Sequence, residues 1–249
     1  MNAAAFLNAL YQQSAYSREL DDGMICVLNA ALAHFGDVSD KTILDFGCGM
    51  GATSAYFAAR GAKVIAADIS DVAIRYVERH AAANVMPVLI RKPFLDGIGQ
   101  FDFIFGAMIL HHIEPFAAFV DELACKLRQK GLFWENNASS RTLVWFRNHL
   151  VGKLWVPKYG DPFEFPLTRE EVDVLRSKFA VETEYPEMLF WRLASSYPLR
   201  ERFKGVATAL DEAFFRHKWL TRYSYRQYVK ITSLQQLNVK TDIPRLPTD

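Results

Sequence analysis

Ile43-Leu44-Asp45-Phe46-Gly47-Cys48-Gly49-Met50-Gly51 joins a short apolar run, an acid near its end and three glycines at alternate positions. Glycine is needed where a backbone turns sharply after a strand and lets a ligand come closer than a Cβ would permit. Ala52-Thr53-Ser54-Ala55-Tyr56-Phe57-Ala58-Ala59-Arg60 follows and reads as a helix, so the glycines occupy a strand-to-helix turn. Such a turn, at the carboxyl end of a parallel strand, is a nucleotide-type site.

Two kinds of protein use this turn. Gly47, Gly49 and Ala52 satisfy the dinucleotide pattern G-x-G-x-x-G/A. That pattern does not ask for Asp45, whose carboxylate can accept hydrogen bonds from an ammonium group. NAD has no ammonium; S-adenosylmethionine has one. Leu44 to Gly51 resembles motif I of the class I S-adenosylmethionine-dependent methyltransferases, with Gly47, Gly49 and Gly51 as its glycines. Ala62 to Ala67 is a second apolar strand ending at Asp68, spaced to accept from both ribose hydroxyls. The bland role for Asp68 is a cap on a helix over 71–83, which Ser70 or Asp71 can equally fill.

Later segments continue the resemblance. Phe101 to Met108 is a fourth strand followed by Ile109-Leu110-His111-His112-Ile113, similar to the family's F-D-x-h strand and its L-H-H-h sequel. A helix over 115–128 and a fifth strand over Lys130–Asn136, entered by a turn, come next. The resemblance implies an α/β, doubly wound, Rossmann-like sheet of seven strands, the last antiparallel, in the order 3-2-1-4-5-7-6. It also implies S-adenosylmethionine as cofactor, with Ile69 and Ala107 among its contacts. One departure stands out: after the third strand, where the family places an acid for adenine, the chain has Arg91-Lys92-Pro93-Phe94. Either Asp96 reaches back, or adenine is held by backbone and by stacking on Phe94.

The 249 residues suit one α/β domain with insertions, and 51% hydrophobic content is ample for a core. A net charge of +1 provides no general field for nucleic acid, and no recognisable basic module with stacking aromatics is present. Cys26, Cys48 and Cys125 have no metal-ligand spacing, so no metal is expected, and they suit a reducing compartment. The N-terminus lacks a basic region before its apolar run, and no stretch approaches the roughly 18 apolar residues of a membrane helix. A cytoplasmic location is therefore expected.

The chain divides into an N-terminal helical lid over 1–40, a core over 41–233 and a tail over 234–249. Two helices are expected over 3–36 with a break near Asp21-Asp22-Gly23, and Thr168 with Glu171 makes a capping box. The core carries insertions at 137–167 and 186–221. The first holds Trp145 and Tyr159, taken as acceptor contacts. Over 192–230 nine lysines and arginines face three acids, interleaved with Phe203, Phe214, Phe215 and Trp219. That is a solvated face packed by its aromatics, or a surface for an anionic or amphiphilic acceptor with peripheral membrane contact.

Methyl transfer from a sulfonium is a collinear displacement in which positioning supplies roughly 7–11 kcal/mol in favourable cases. A strong cofactor site and an ambiguous catalytic one are what such chemistry leaves in a sequence. His111 and His112, at the carboxyl edge, are the candidate bases; the bland reading has one packed and one capping the next helix. Glu135, ending the fifth strand, is expected to anchor substrate or cap a loop. Tyr16, on the N-terminal lid, is placed to donate to the methionine carboxylate, and Tyr11 shares its helix. The whole is similar to quinone-biosynthesis and natural-product methyltransferases, with oxygen the first choice of acceptor atom. A degenerate cofactor-binding subunit and a nicotinamide-dependent oxidoreductase are the alternatives.

Overall fold

The computed structural model describes residues 3–12, 19–92, 94–137, 166–196 and 203–236. In chain order these form α1 (Ala3–Tyr11), α2 (Asp22–Phe35), β1 (Thr42–Phe46), α3 (Ala52–Ala58), β2 (Lys63–Asp68), α4 (Asp71–His80), β3 (Val85–Leu89) and β4 (Phe101–Ala107). A 3-10 turn (Leu110–His112), α5 (Phe116–Lys126), β5 (Leu127–Asn136), α6 (Arg169–Arg176) and β6 (Phe179–Glu184) follow. Then come α7 (Trp191–Ser196), α8 (Lys204–Phe215), α9 (Lys218–Thr221) and β7 (Arg226–Ser233).

Seven strands make one sheet in the order β3-β2-β1-β4-β5-β7-β6, as the resemblance implies. The first five are parallel to their neighbours, and β7 runs antiparallel between β5 and β6. Strands buried on both faces read as continuous apolar runs, which is why Ile43-Leu44 and Phe103-Ile104-Phe105 lack alternation. On one face Ile43 and Phe103 pack with Leu28 and Phe35 of α2 and Phe57 of α3. Leu44, Phe46 and Ile104 on the other face meet Phe119 and Leu123 of α5 and Leu175 of α6. Phe35 stacks on Phe103 at 4.8 Å and Phe46 on Phe119 at 5.3 Å, one pair per face.

The helix starts follow local chemistry. The Ser70 hydroxyl accepts from Ala73 N and starts α4, and Thr168 forms the expected capping box with Glu171 ahead of α6. Three boundaries differ from expectation. Residues 21–23, expected as a break, are the start of the second helix, because Asp21 is the cap of α2 and Asp22 and Gly23 lie in its first turn. Helix α4 ends at His80 rather than residue 83. Strand β5 starts at Leu127, so Gly131 is inside a strand and not at a turn. A Cβ there would stand 2.5 Å from Ile104 and 2.8 Å from Ile231, so the glycine is a close-approach residue between neighbouring strands.

The expected lid divides. Helix α2 buries Val27, Leu28, Ala31 and Phe35 in the core, whereas α1 lies on α4, where Asn8 accepts from the Ser70 hydroxyl and donates to Asp71. The 186–221 connection leaves the end of β6 and returns at the start of β7, so it stands at the carboxyl edge of β5. It is tied there by Leu189, which donates to Ser224 Oγ and accepts from Tyr225 N. Among the described residues no helix is long and apolar enough to cross a membrane.

Candidate functional site

The glycine turn sits at the carboxyl end of β1, between β2 and β4. Gly47, Gly49 and Gly51 have φ of 81°, 51° and 84°, the left-handed region that favours glycine. Space adds a second constraint: a Cβ on Gly47 would come within 3.1 Å of Ile109, and one on Gly51 within 2.9 Å of Val77. A cavity of about 390 Å³ opens over this turn, lined by Gly47 to Met50, Thr53, Ala107, Tyr11 and the start of α2. Its charged lining is acidic, with Glu19 and Asp21 at the rim and no lysine or arginine among the described lining residues.

Asp45 lies beneath the cavity instead of in its wall. It is 1% exposed, and its Oδ2 accepts from Thr53 Oγ1 at 2.6 Å and Ser54 Oγ at 2.5 Å. Burial raises its pKa to about 6 against the pull of those hydroxyls, and the nearby Asp68 pushes the same way as burial. Thr53, which sequence reasoning passed over, is thus the side chain through which Asp45 reaches the cavity. Asp68 accepts from Gly49 N at 2.9 Å and Ser70 N at 2.8 Å, one on each oxygen. Burial raises its pKa too, opposed by those backbone bonds. Cys48 is buried, and burial with the two acids lifts its thiol well above the ordinary range, which works against a thiolate there.

Ile69 and Phe94 are half-buried against the core face that holds Phe46, and neither lines this cavity. Phe94 meets Phe46 and Phe119 edge-on, with the Lys92 ammonium 5.5 Å from its ring centre. Asp96 is exposed. Tyr16, Trp145 and Tyr159 lie outside the described residues. Tyr11 is the tyrosine that α1 brings to the cavity.

At the ends of β4 and β5 the structure joins two candidates that the sequence treated apart. Glu135 Oε1 accepts from Ile109 N and Leu110 N, and its Oε2 meets His111 Nδ1 at 2.8 Å. Both side chains are buried, at 0% and 2% exposure. Glu135 therefore caps the 3-10 turn, the second of its two expected roles, and orients His111; its fully buried carboxylate is spent on these three partners. With Nδ1 protonated toward the carboxylate, His111 Nε2 carries a lone pair, and that atom is buried without a hydrogen-bond partner. The His112 ring lies 4.1 Å from that of His111, tilted by 45°, and its backbone N donates to Ile109 O. Met108, at φ 55°, and Trp134 flank the same edge. Arg226 reaches both: its guanidinium contacts Met108 Sδ and lies 4.7 Å from the Trp134 ring centre.

Comparison with known proteins agrees with this arrangement. Residues 44–134 match the family model described as a methyltransferase domain. The ubiquinone biosynthesis O-methyltransferase of Methylobacterium sp. (strain 4-46) is 27% identical over 161 residues, which cover 59% of this chain and 64% of that one. The enzyme of the same name from Parvibaculum lavamentivorans is 30% identical over 156 residues, 57% of this chain and 61% of its own. The chain thus spans under two thirds of these relatives. In fold it is similar to the N-methyltransferase NodS from Bradyrhizobium japonicum WM9, solved with S-adenosylhomocysteine (TM-score 0.59, 12% identity, 94% and 100% of the two chains). It is also similar to the magnesium protoporphyrin IX methyltransferase from Synechocystis PCC 6803 (TM-score 0.55, 15% identity, 93% and 95%). The domain match falls on the glycine turn and on the strands that carry Asp45 and Asp68, so residues 44–134 are similar to a methyltransferase domain at the place where the cavity opens.

Proposed function

We propose that this chain transfers a methyl group from S-adenosylmethionine to a hydroxyl oxygen of a small or amphiphilic acceptor. The observation that carries the reading is the sign of the cavity at the glycine turn. Glu19 and Asp21 at its rim and Asp45 beneath it suit a ligand bearing an ammonium and a sulfonium. The same lining opposes the pyrophosphate of a dinucleotide, which looks for cations or free backbone N–H groups. Asp68 fits the ribose, since each carboxylate oxygen already bonded to one N–H retains a lone pair for a hydroxyl. Bound here, the cofactor supplies a methyl on a positively charged sulfur, which departs as a neutral thioether.

The chain's own contribution is placement and proton removal. Glu135 fixes the tautomer of His111 and offsets the charge the ring gains, leaving Nε2 to take the acceptor's hydroxyl proton as its oxygen bonds carbon. Exposed Phe203, Val206, Phe215 and Trp219, beside Lys204, Arg216 and Lys218, support an amphiphilic acceptor met at a membrane surface. The free thiols of Cys26, Cys48 and Cys125 support a cytoplasmic setting.

The test is release of S-adenosylhomocysteine over a panel of catechols and phenols, each with and without a hydrocarbon tail. Turnover of at least one, reduced about a hundredfold or more in His111→Gln and partly restored at high pH, is the expected result. Cofactor binding without turnover on any member would favour the degenerate-subunit reading.

A further inference from the structure

A second cleft of about 390 Å³ lies on the α6 side of the same sheet edge. Arg169 and Arg176 of α6 and Arg222 of the loop before β7 stand around it, with Tyr185 and Thr183 from β6. Its floor holds buried polar groups, Asn137 at 2% and Gln227 at 3% exposure. Burial pushes the Tyr185 phenol up, while the charges of Arg169, Arg176 and Arg222 all pull against it. One acid, Asp173, lines the cleft and pairs with Arg176; no carboxylate bonds Arg169 or Arg222 among the described residues. Two positive charges are thus left without an acid among the described residues; on the floor Asn137 Nδ2 already donates to Arg222 O and Ser224 O, while Gln227 Nε2 keeps one N–H beyond its bond to Asn136 O. Planar guanidinium forks match the oxygens of phosphate and carboxylate groups.

Register sets the distance to the chemistry. Glu135 on β5 is paired with Gln227 on β7, and the row below runs Phe133, Val229, Thr183 across β5, β7 and β6. Paired residues share a face, so Glu135 and the cleft floor are on one side of the sheet. With strands roughly 5 Å apart, Gln227 stands about 5 Å and the β6 wall about 10 Å from the Glu135 position. One molecule can then present an oxygen at His111 and an anionic group between the arginines.

We infer that the cleft formed by Arg169, Arg222, Tyr185 and Gln227 binds a phosphate or carboxylate group carried by the methyl acceptor. The inference rests on the methyl-transfer reading and names the substrate class for that site: an elongated acceptor with its anionic group roughly 10 Å from the methylated oxygen. Inorganic diphosphate is the probe, titrated by calorimetry into the protein loaded with S-adenosylhomocysteine. The parent is expected to bind it, and the double variant Arg169→Gln, Arg222→Gln at least tenfold more weakly, with S-adenosylhomocysteine affinity and melting temperature unchanged as controls on folding. No binding to the parent, or equal binding to both, would overturn the anion site. In turnover, diphosphate is expected to raise the acceptor KM of the parent without changing kcat, and to have little effect on the variant. Diphosphate that binds while leaving acceptor KM unaltered would show a site for a free anion and overturn the assignment to the acceptor. Failure of the methyl-transfer reading would show separately, as absence of S-adenosylhomocysteine binding.

Discussion

Asp45 keeps a buried charge in a place where a neutral amide would be less costly. Its pKa of about 6, against 3.8 for an ordinary aspartate, means the folded chain still holds the proton at pH values where the unfolded chain has lost it. The group's contribution to stability is therefore fully present below about pH 4 and is lost as pH rises through about 6. At higher pH the buried carboxylate costs on the order of 3 kcal/mol. Asp45→Asn is accordingly expected to stabilise the ligand-free protein at pH 8, with a gain that shrinks toward pH 4, in denaturant titrations at the two pH values. The same variant should bind S-adenosylhomocysteine more weakly, because the negative charge under the cavity is lost, although the amide oxygen still accepts from Thr53 and Ser54. Sequence spacing located Asp45 at the right strand end but not its depth; direct contact with a ligand and contact through Thr53 leave the same residues in the chain. Glu135 was ambiguous for the same reason, since its three partners are 24 to 26 residues away.

Among the elements, those whose causes are local were legible: the capping box of α6, the apolar strands and the glycine turn all lie within a few residues of their signals. Strand β5 was cut short by three residues because Lys130-Gly131 resembles a turn, while the reason for that glycine is crowding from β4 and β7. Helix α7 depends on a residue no local signal reveals. Asp211 of α8, 2% exposed, accepts from the backbone N–H groups of Phe190, Trp191 and Arg192 and from the Arg192 guanidinium. Those are donors at a helix start, which otherwise lack partners. Asp211→Ala leaves those donors unsatisfied and removes one of the two carboxylates on the Arg192 guanidinium, which keeps Glu187, a loss of about 2 kcal/mol. It should appear as lost amide-exchange protection at residues 190–192, and unchanged protection there would show that α7 is held by its apolar contacts alone.

At the scale of the molecule, the strand order was available only through family resemblance. Apolar runs of similar length cannot say which strands are neighbours, and the long crossovers of a parallel sheet leave many orders open. Once the order is fixed, the carboxyl edge brings together the acidic cavity, the His111–Glu135 pair and the arginine-lined cleft from segments more than a hundred residues apart. The proposed function is then a property of that edge, in which the cofactor is assigned to the cavity over β1 and the acceptor to β5 and β7.

Calorimetry of the ligand-free protein with S-adenosylhomocysteine and, separately, with NAD tests that account most directly. One equivalent of S-adenosylhomocysteine should bind, with affinity falling at least tenfold in folded Asp68→Ala, which lacks the carboxylate proposed to accept two ribose bonds of roughly 1.5–3 kcal/mol each, and NAD should give no heat of binding. Binding of NAD in preference, or S-adenosylhomocysteine affinity unchanged in Asp68→Ala, would contradict the assignment of the glycine-turn cavity.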